Sequence, residues 1–130
     1  MKTATYIESK LKEHLDHALD LNLLNEPIQY AVFPPGKLFR SKLIYALSHD
    51  LNSHSDAHEF FASSIELHHS YTLVHDDLPT MDNDDYRRGK LSTHKKYGEW
   101  KAVLTGDALL ALSFGPVSYT HLTLPTTPYV

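Results

Sequence analysis

The stretch ELHHSYTLVHDDLPTMDNDDYRRGK, residues 66–90, decides how the whole chain is interpreted. A helical apolar pattern leads here into a cluster of aspartates. They fall within ten residues of one another: Asp76, Asp77, Asp82, Asp84 and Asp85. Carboxylates packed this closely repel one another unless cations or water neutralise them. Pro79 interrupts the helix between Asp76 and Asp82, which an unbroken helix would place on different faces. The pattern predicts a helix that ends in an acidic, cation-binding loop.

The ligand type of this loop favours magnesium. Carboxylate oxygens suit hard cations, and magnesium tends to keep several waters and to bridge to substrate phosphates. A calcium loop is excluded, because no register starting at Asp76, Asp82 or Asp84 has Gly at the sixth position and Glu at the twelfth. A solvated acidic loop without a ligand is the simplest alternative for such a run taken alone.

Composition excludes several classes of function. The 130 residues carry a formal net charge of −4, without the basic stripe typical of nucleic-acid-binding proteins. The chain has no cysteine, which excludes disulfides, thiol catalysis and zinc–thiolate sites. No apolar run approaches the length of a membrane span, and the N-terminus lacks an apolar signal core. We therefore expect a cytoplasmic protein with no nucleic-acid partner and no membrane span.

Apolar residues at helical spacing run through most of the chain and predict an all-α fold. One such series, which includes Leu11 and Leu15, predicts a first helix over residues 5–24. Regular structure is then interrupted by Pro27, Pro34, Pro35 and Gly36. Further helices are predicted over residues 38–51, 57–78 and 99–114. The apolar side of the second helix consists of Leu43, Ala46, Leu47 and Leu51. Residues 80–91 are predicted to form a loop, and no strand is expected.

The segment DDLPTMDNDDYRRGK resembles the first aspartate-rich motif of the trans-isoprenyl diphosphate synthases, DDxxxxD followed by RRG. In that family the first and last acids of the motif bind magnesium, which implies metal-ligand roles for Asp76 and Asp82. Asp77, the adjacent acid, is implied to act with them through the metal. Asp84 and Asp85 lie outside the core motif.

A second segment, FPPGKLFRSKL, resembles the GGKxxRP block of the same family. This resemblance implies that Lys37 and Arg40 bind isopentenyl diphosphate. Two positions depart from the block. Leu38 stands where the family often has Arg, and Ser41 stands where it has Pro.

Four more residues take roles from the resemblance. Arg87 is implied to bind the allylic diphosphate and Arg88 to bind isopentenyl diphosphate. His69, two helical turns before Asp76, corresponds to a Gln or His that binds diphosphate in the family. Tyr71, five residues before the motif, is implied to form the floor that limits the length of the prenyl product, as in bacterial farnesyl synthases.

The resemblance also implies a fold, a reaction and partners. The chain would form the N-terminal part of the isoprenoid-synthase helical bundle, truncated before the second aspartate-rich motif. The implied reaction condenses dimethylallyl or geranyl diphosphate with isopentenyl diphosphate to give farnesyl diphosphate, with more than one Mg²⁺ in the intact enzyme. Intact members are implied to be homodimers. The chain by itself is expected to turn over little or no substrate.

The last residues do not follow the helical pattern. From Val117 the chain reads VSYTHLTLPTTPYV, with four Thr, two Pro and no charged residue, and it resembles a translated sequencing adapter. We therefore expect a partial synthase domain over residues 1–116. Residues 117–130 are expected to be an artefactual tail with few contacts to the helices.

Three alternatives stay open on the sequence. A geranylgeranyl or other short-chain polyprenyl synthase would share the motifs. A metal phosphohydrolase of the HD type would use His69, His75, Asp76 and a distant Asp as ligands, but it leaves Lys37, Arg40 and the spacing of the acids unexplained. A non-catalytic helical binding module would bind no metal at the acidic loop. Magnesium-dependent binding of a diphosphate separates the last two from prenyl transfer.

Overall fold

The computed structural model describes residues 2–53 and 55–119, and over these residues the fold is helical with one short hairpin. The helices are α1 (Ala4–Ala18), α2 (Asn25–Val32), α3 (Phe39–Asp50), α4 (Ala57–Asp76), α5 (Thr93–Tyr97) and α6 (Glu99–Tyr119). A 3-10 turn and two antiparallel strands complete the described elements: Asn22–Leu24, β1 (Tyr86–Arg87) and β2 (Lys90–Leu91). The prediction of an all-α fold is confirmed.

The core lies where α4 packs along α6 and where α1 and α2 close over them. Its helical apolar side chains are Leu11, Leu15, Ile28, Val32, Leu67, Val74, Ala102 and Leu109. Full burial of each large member contributes about 1.5–3 kcal/mol. A second cluster joins α1, the start of α3 and α4 through Ile7, Leu38, Tyr45 and Ala62. Since Val74 and Leu78 are both buried, this packing fixes the end of α4, where the acidic motif begins.

The predicted first helix, over residues 5–24, is longer than the observed one, and a separate 3-10 turn follows it. α1 ends at Ala18, where Leu19 turns to an extended backbone, and α2 begins at Asn25. The prediction that Pro27 interrupts regular structure is wrong. Pro27 is the third residue of α2, in the first turn, where a helix does not need the N–H that proline lacks. The predictions for α3 and α4 agree with the structure to within two residues at each end.

α3 turns its predicted apolar side to solvent. The buried residues of this helix are Ser41 and Tyr45. The exposed large apolar residues lie at one-turn spacing, between 50 and 77% exposed: Phe39, Leu43, Leu47 and Leu51. The hydroxyl of Ser41 donates to the carbonyl of Ala62 in α4 at 3.0 Å. Hydrogen bonding to α4, together with packing of Tyr45, therefore decides which side of α3 is buried.

Two further differences flank α5. The predicted loop over residues 80–91 contains β1 and β2, so the expectation of no strand is wrong. α6 continues to Tyr119, past its predicted end at residue 114, with Pro116 inside it. Residues 120–130 lie outside the described part of the chain, and the few contacts expected of the tail stay a prediction. No helix among the described residues is long and apolar enough to cross a membrane.

Candidate functional site

The acidic motif folds back on the end of α4. The backbone N–H of Asp82 donates to the carbonyl oxygen of Asp76 at 2.8 Å. The next two amides continue the fold-back, from Asn83 to Leu78 at 3.0 Å and from Asp84 to Asp77 at 3.1 Å. Asp76 is half-buried and Asp82 is exposed. The turn around Pro79 thus brings together the two acids that an unbroken helix would separate.

Asp77 faces inward and pairs with Arg87. Its side chain is 3% exposed, and it accepts Arg87 Nε at 3.1 Å and Nη2 at 2.5 Å. This two-bond geometry is the strong form of an arginine–carboxylate pair. The hydrogen bond to Asp77, and then its charge, raise the pKa of Arg87. Arg87 is therefore held by the motif, and Asp77 is occupied by an arginine.

The donor set fits magnesium through Asp76 and Asp82. Magnesium is commonly held by one or two carboxylates, with waters and substrate phosphate completing its shell. Among residues 2–53 and 55–119 there is no group of three or more His, Asp or Glu that could hold a metal. Because the Asp77 carboxylate lies on Arg87, Asp76 and Asp82 are the acids of the motif that would hold the ion.

The RRGK sequence forms a tight hairpin with Arg88 in its turn. Arg87 pairs with Lys90, and the two residues between them have positive φ, 52° for Arg88 and 77° for Gly89. Two consecutive positive φ values define the type I′ turn, which favours glycine in its second central position. Lys90 anchors the hairpin to the end of α2, since its Nζ donates to the carbonyl of Phe33 at 2.7 Å and also to that of Tyr30.

Arg88 lies over the backbone that leads into Lys37. A β-carbon on Gly36 would be 3.2 Å from Nε of Arg88, so the absent side chain leaves room for the guanidinium. Nη1 of Arg88 also donates to the carbonyl of Pro34 at 3.4 Å. Lys37 is exposed and directly follows Gly36. The hairpin and the GKLFR segment therefore meet.

His69 lies among these cations on α4. Burial lowers its pKa, as does the charge of Arg40, and smaller contributions come from Arg88 and Arg87. The carboxylate of Glu66 acts in the opposite direction. We call Lys37, Arg40, His69 and Arg88 the basic cluster. It lies between α3, α4 and the hairpin.

Two contributors were not identified from the sequence. Glu66 is buried on α4 one turn before His69, on a side of the helix that also buries Ser63 and Ser70. Lys90 follows the RRG triplet but binds carbonyl groups of α2, which no local pattern indicates. Leu38 departs from the family pattern because it is 4% exposed in the second core cluster.

Tyr71 lies on a different side of α4 from His69. Its half-buried ring packs edge-to-face on His68, at a centroid distance of 4.7 Å, and on His75, at 5.7 Å. His75 in turn donates from Nε2 to the carbonyl of Val103 in α6 at 3.0 Å. A phosphohydrolase site of the HD type would need His75 beside Asp76 as a metal ligand, whereas this nitrogen is engaged with α6.

Comparisons with known proteins identify the family of the chain. A family model described as polyprenyl synthetase matches residues 21–124. The chain is 45% identical over 99 residues to a farnesyl diphosphate synthase of Buchnera aphidicola, covering 76% of this chain and 35% of that protein. A chloroplastic geranylgeranyl pyrophosphate synthase of Capsicum annuum is 41% identical over 103 residues, covering 77% of this chain and 28% of that protein.

Solved structures show the same likeness. The crystal structure of a geranyltranstransferase from Thermotoga maritima matches with a TM-score of 0.81 and 39% identity, over 88% of this chain and 43% of that chain. The chain belongs to the polyprenyl synthetase family, which confirms the resemblance found in its motifs. It spans about a third of the length of the curated relatives it matches.

Proposed function

We propose that this chain supplies the first magnesium and diphosphate site of a prenyltransferase that makes farnesyl diphosphate. The observation that carries the proposal is the hydrogen bond from the backbone N–H of Asp82 to the backbone carbonyl of Asp76, at 2.8 Å. It lies at the end of the helix that also carries His69. Acids that attract a divalent cation and bases that attract phosphate oxygens thereby lie on one helix and its neighbours. That combination suits a ligand carrying both metal and diphosphate.

The chemistry is head-to-tail condensation. The allylic C–O bond breaks, diphosphate leaves, the double bond of isopentenyl diphosphate attacks the allylic carbon, and the released diphosphate takes up the proton that the new carbocation loses. When bound, magnesium offsets the charge that develops on the leaving diphosphate. Arg88 and Arg40 hold phosphate oxygens with planar guanidinium groups, and Lys37 adds a point charge. Arg87 binds the allylic diphosphate through the guanidinium N–H groups that Asp77 does not take.

Product length is the finer part of the proposal. Tyr71 lies about 7–8 Å along the axis of α4 from Asp76, at 1.5 Å per residue. We propose that its ring closes the space available to the prenyl tail at fifteen carbons. Geranylgeranyl diphosphate is the second candidate product, because one of the relatives above carries that name. The product of the unmodified full-length enzyme decides between them. Tyr71→Ala is expected to shift the product to twenty or more carbons, and a distribution that stays at fifteen would contradict the role of Tyr71.

We propose that the intact enzyme is a cytoplasmic homodimer that uses more than one Mg²⁺. We propose that residues 1–116 are the synthase part and that residues 117–130 are an artefactual tail. We also expect little or no conversion of dimethylallyl and isopentenyl diphosphate by the 130 residues alone, since no second aspartate-rich motif is present. Robust turnover by the purified chain would contradict this.

The metal site is tested by calorimetric titration of inorganic diphosphate into the chain, with and without MgCl₂. We expect binding that depends on magnesium and that weakens about tenfold or more in D76N and in D82N, because each change removes a charged ligand. D85N is the matched control, since Asp85 is exposed and pairs with Lys95 at 3.0 Å. Equal binding by D76N, D82N and the unmodified chain would overturn the proposed site.

A further inference from the structure

Glu66 is a buried carboxylate to which the proposed chemistry assigns no role. The residue is 6% exposed on α4, one turn before His69. Its Oε1 accepts the backbone N–H of Ser41 at 3.1 Å. It also lies 2.8 Å from the hydroxyl of Ser41, whose single hydrogen it shares with the carbonyl of Ala62. A carboxylate removed from water is costly unless donors satisfy it, so this contact holds α3 against α4.

The amide that Glu66 accepts belongs to the open end of α3. The helix begins at Phe39, and the residue before it, Leu38, is left-handed with φ 52° and gives no side-chain cap. The first N–H groups of a helix have no partner within it, and a negative charge there is favourable. Glu66 therefore caps α3 from the neighbouring helix. The cap needs the N–H of Ser41, which the proline of the family pattern would lack.

Arg40 is the residue between Phe39 and Ser41, so the cap immobilises the turn that carries it. The charge of Arg40 lowers the pKa of His69, and the charge of Glu66 raises it. We propose that Glu66, acting through Ser41, is a positioning residue that holds the first turn of α3 so that Arg40 meets the diphosphate. The inference rests on the proposed function, because it gives Arg40 a phosphate group to bind.

The test is calorimetric titration of inorganic diphosphate with MgCl₂ into single variants of the whole chain. We expect Kd to rise about tenfold in E66A and about threefold in S41A, which keeps the backbone donor. E66Q retains an oxygen acceptor for both donors and is expected to bind within about twofold of the unmodified chain. S70A is the matched control, because the buried Ser70 hydroxyl donates to the Glu66 carbonyl within α4, at 2.9 Å, and not to α3.

A second measurement detects the charge of Glu66 at this site without depending on stability. In an NMR titration, His69 is expected to titrate at lower pH in E66Q, because this variant lacks the negative charge that raises the pKa of His69. In S70A the titration of His69 is expected to be unchanged. A Kd in E66A or S41A equal to that of S70A overturns the role of Glu66, as does binding by E66Q as weak as by E66A. If E66A does not fold, S41A and E66Q decide.

Failure of the inference differs from failure of the proposed function. Diphosphate binding that is lost in R40A but survives in E66A and S41A overturns the role of Glu66 alone. Absence of magnesium-dependent diphosphate binding in the unmodified chain overturns the proposed function and, with it, the inference.

Discussion

Gly106 of α6 and His75 of α4 touch so closely that no side chain fits between them. A β-carbon on Gly106 would stand 2.0 Å from Nε2 of His75, the atom that donates to the carbonyl of Val103. The close approach of α4 and α6 at this height thus depends on the absence of a side chain. Because α4 ends one residue later, at Asp76, this contact also sets the position of the acidic motif.

Replacement of Gly106 by alanine should therefore destabilise the protein, although this substitution usually stabilises a helix. Alanine in a helix interior is favoured over glycine by about 1 kcal/mol. Here the ring of His75 must move and lose its hydrogen bond, and we expect G106A to lower the free energy of unfolding by about 1–3 kcal/mol. In an H75A background the same substitution should be neutral or stabilising. Urea unfolding of the four proteins measures both values, and equal effects in the two backgrounds would contradict the contact.

Arg87 and Arg88 should differ in what they stabilise, although they are neighbours. R87A leaves the buried Asp77 carboxylate without its partner and should cost about 2–3 kcal/mol of unfolding free energy, less than a fully buried pair because Arg87 is partly exposed. R88A removes only a long hydrogen bond to Pro34 and should cost less than about 1 kcal/mol.

Ligand binding gives a second measurement on these variants. R88A should weaken magnesium-dependent binding of inorganic diphosphate about tenfold, since it removes a charged group of the basic cluster. Thermal unfolding and calorimetric titration of both variants give the comparison. If R88A is the more destabilised protein, the pairing of Arg87 with Asp77 is not the one that holds the hairpin.

Stability should fall as the solution becomes mildly acidic. Burial is the main cause that lowers the pKa of both His14 and His69 in the folded chain. Below the unfolded-state pKa of about 6.5 the unfolded chain binds protons that the folded chain resists, so the unfolding free energy decreases with falling pH. We expect a loss between pH 7.5 and 5.5 that is smaller in the double variant H14Q/H69Q.

The exposed His49 offers the control for this measurement. H49Q should reproduce the pH dependence of the unmodified chain in urea unfolding at each pH. An unchanged slope in H14Q/H69Q would show that other groups govern the pH dependence.

The exposed side of α3 should tolerate charge. Leu47 is 52% exposed, and L47E should change the unfolding free energy by less than about 0.5 kcal/mol. Leu67 of α4 is 1% exposed, and L67A should cost about 2–5 kcal/mol through the lost burial and the cavity left behind. Chemical unfolding of both proteins checks the pair. A cost above 2 kcal/mol for L47E would mean that α3 buries its apolar side after all.

The sequence by itself determined α3 and α4 and indicated the candidate residues of the site. Helical spacing located α3 and α4 to within two residues at each end, because the backbone hydrogen bonds of a helix join residues four apart. The order of acids and bases around RRG indicated the family. Local pattern did not locate α2, since Pro27 reads as a breaker until it is known to lie in a first turn.

Tertiary structure alone decided which charged groups pair with each other. Asp77 and Arg87 both carried site roles in the sequence, yet they bind each other, while Asp76, Asp82 and Arg88 do not take part in that pair. The contact between Ser41 and Glu66 joins residues 25 apart in the chain. Such pairs depend on how helices pack, and a buried charge takes whichever donor that packing brings near, which no short-range periodicity encodes.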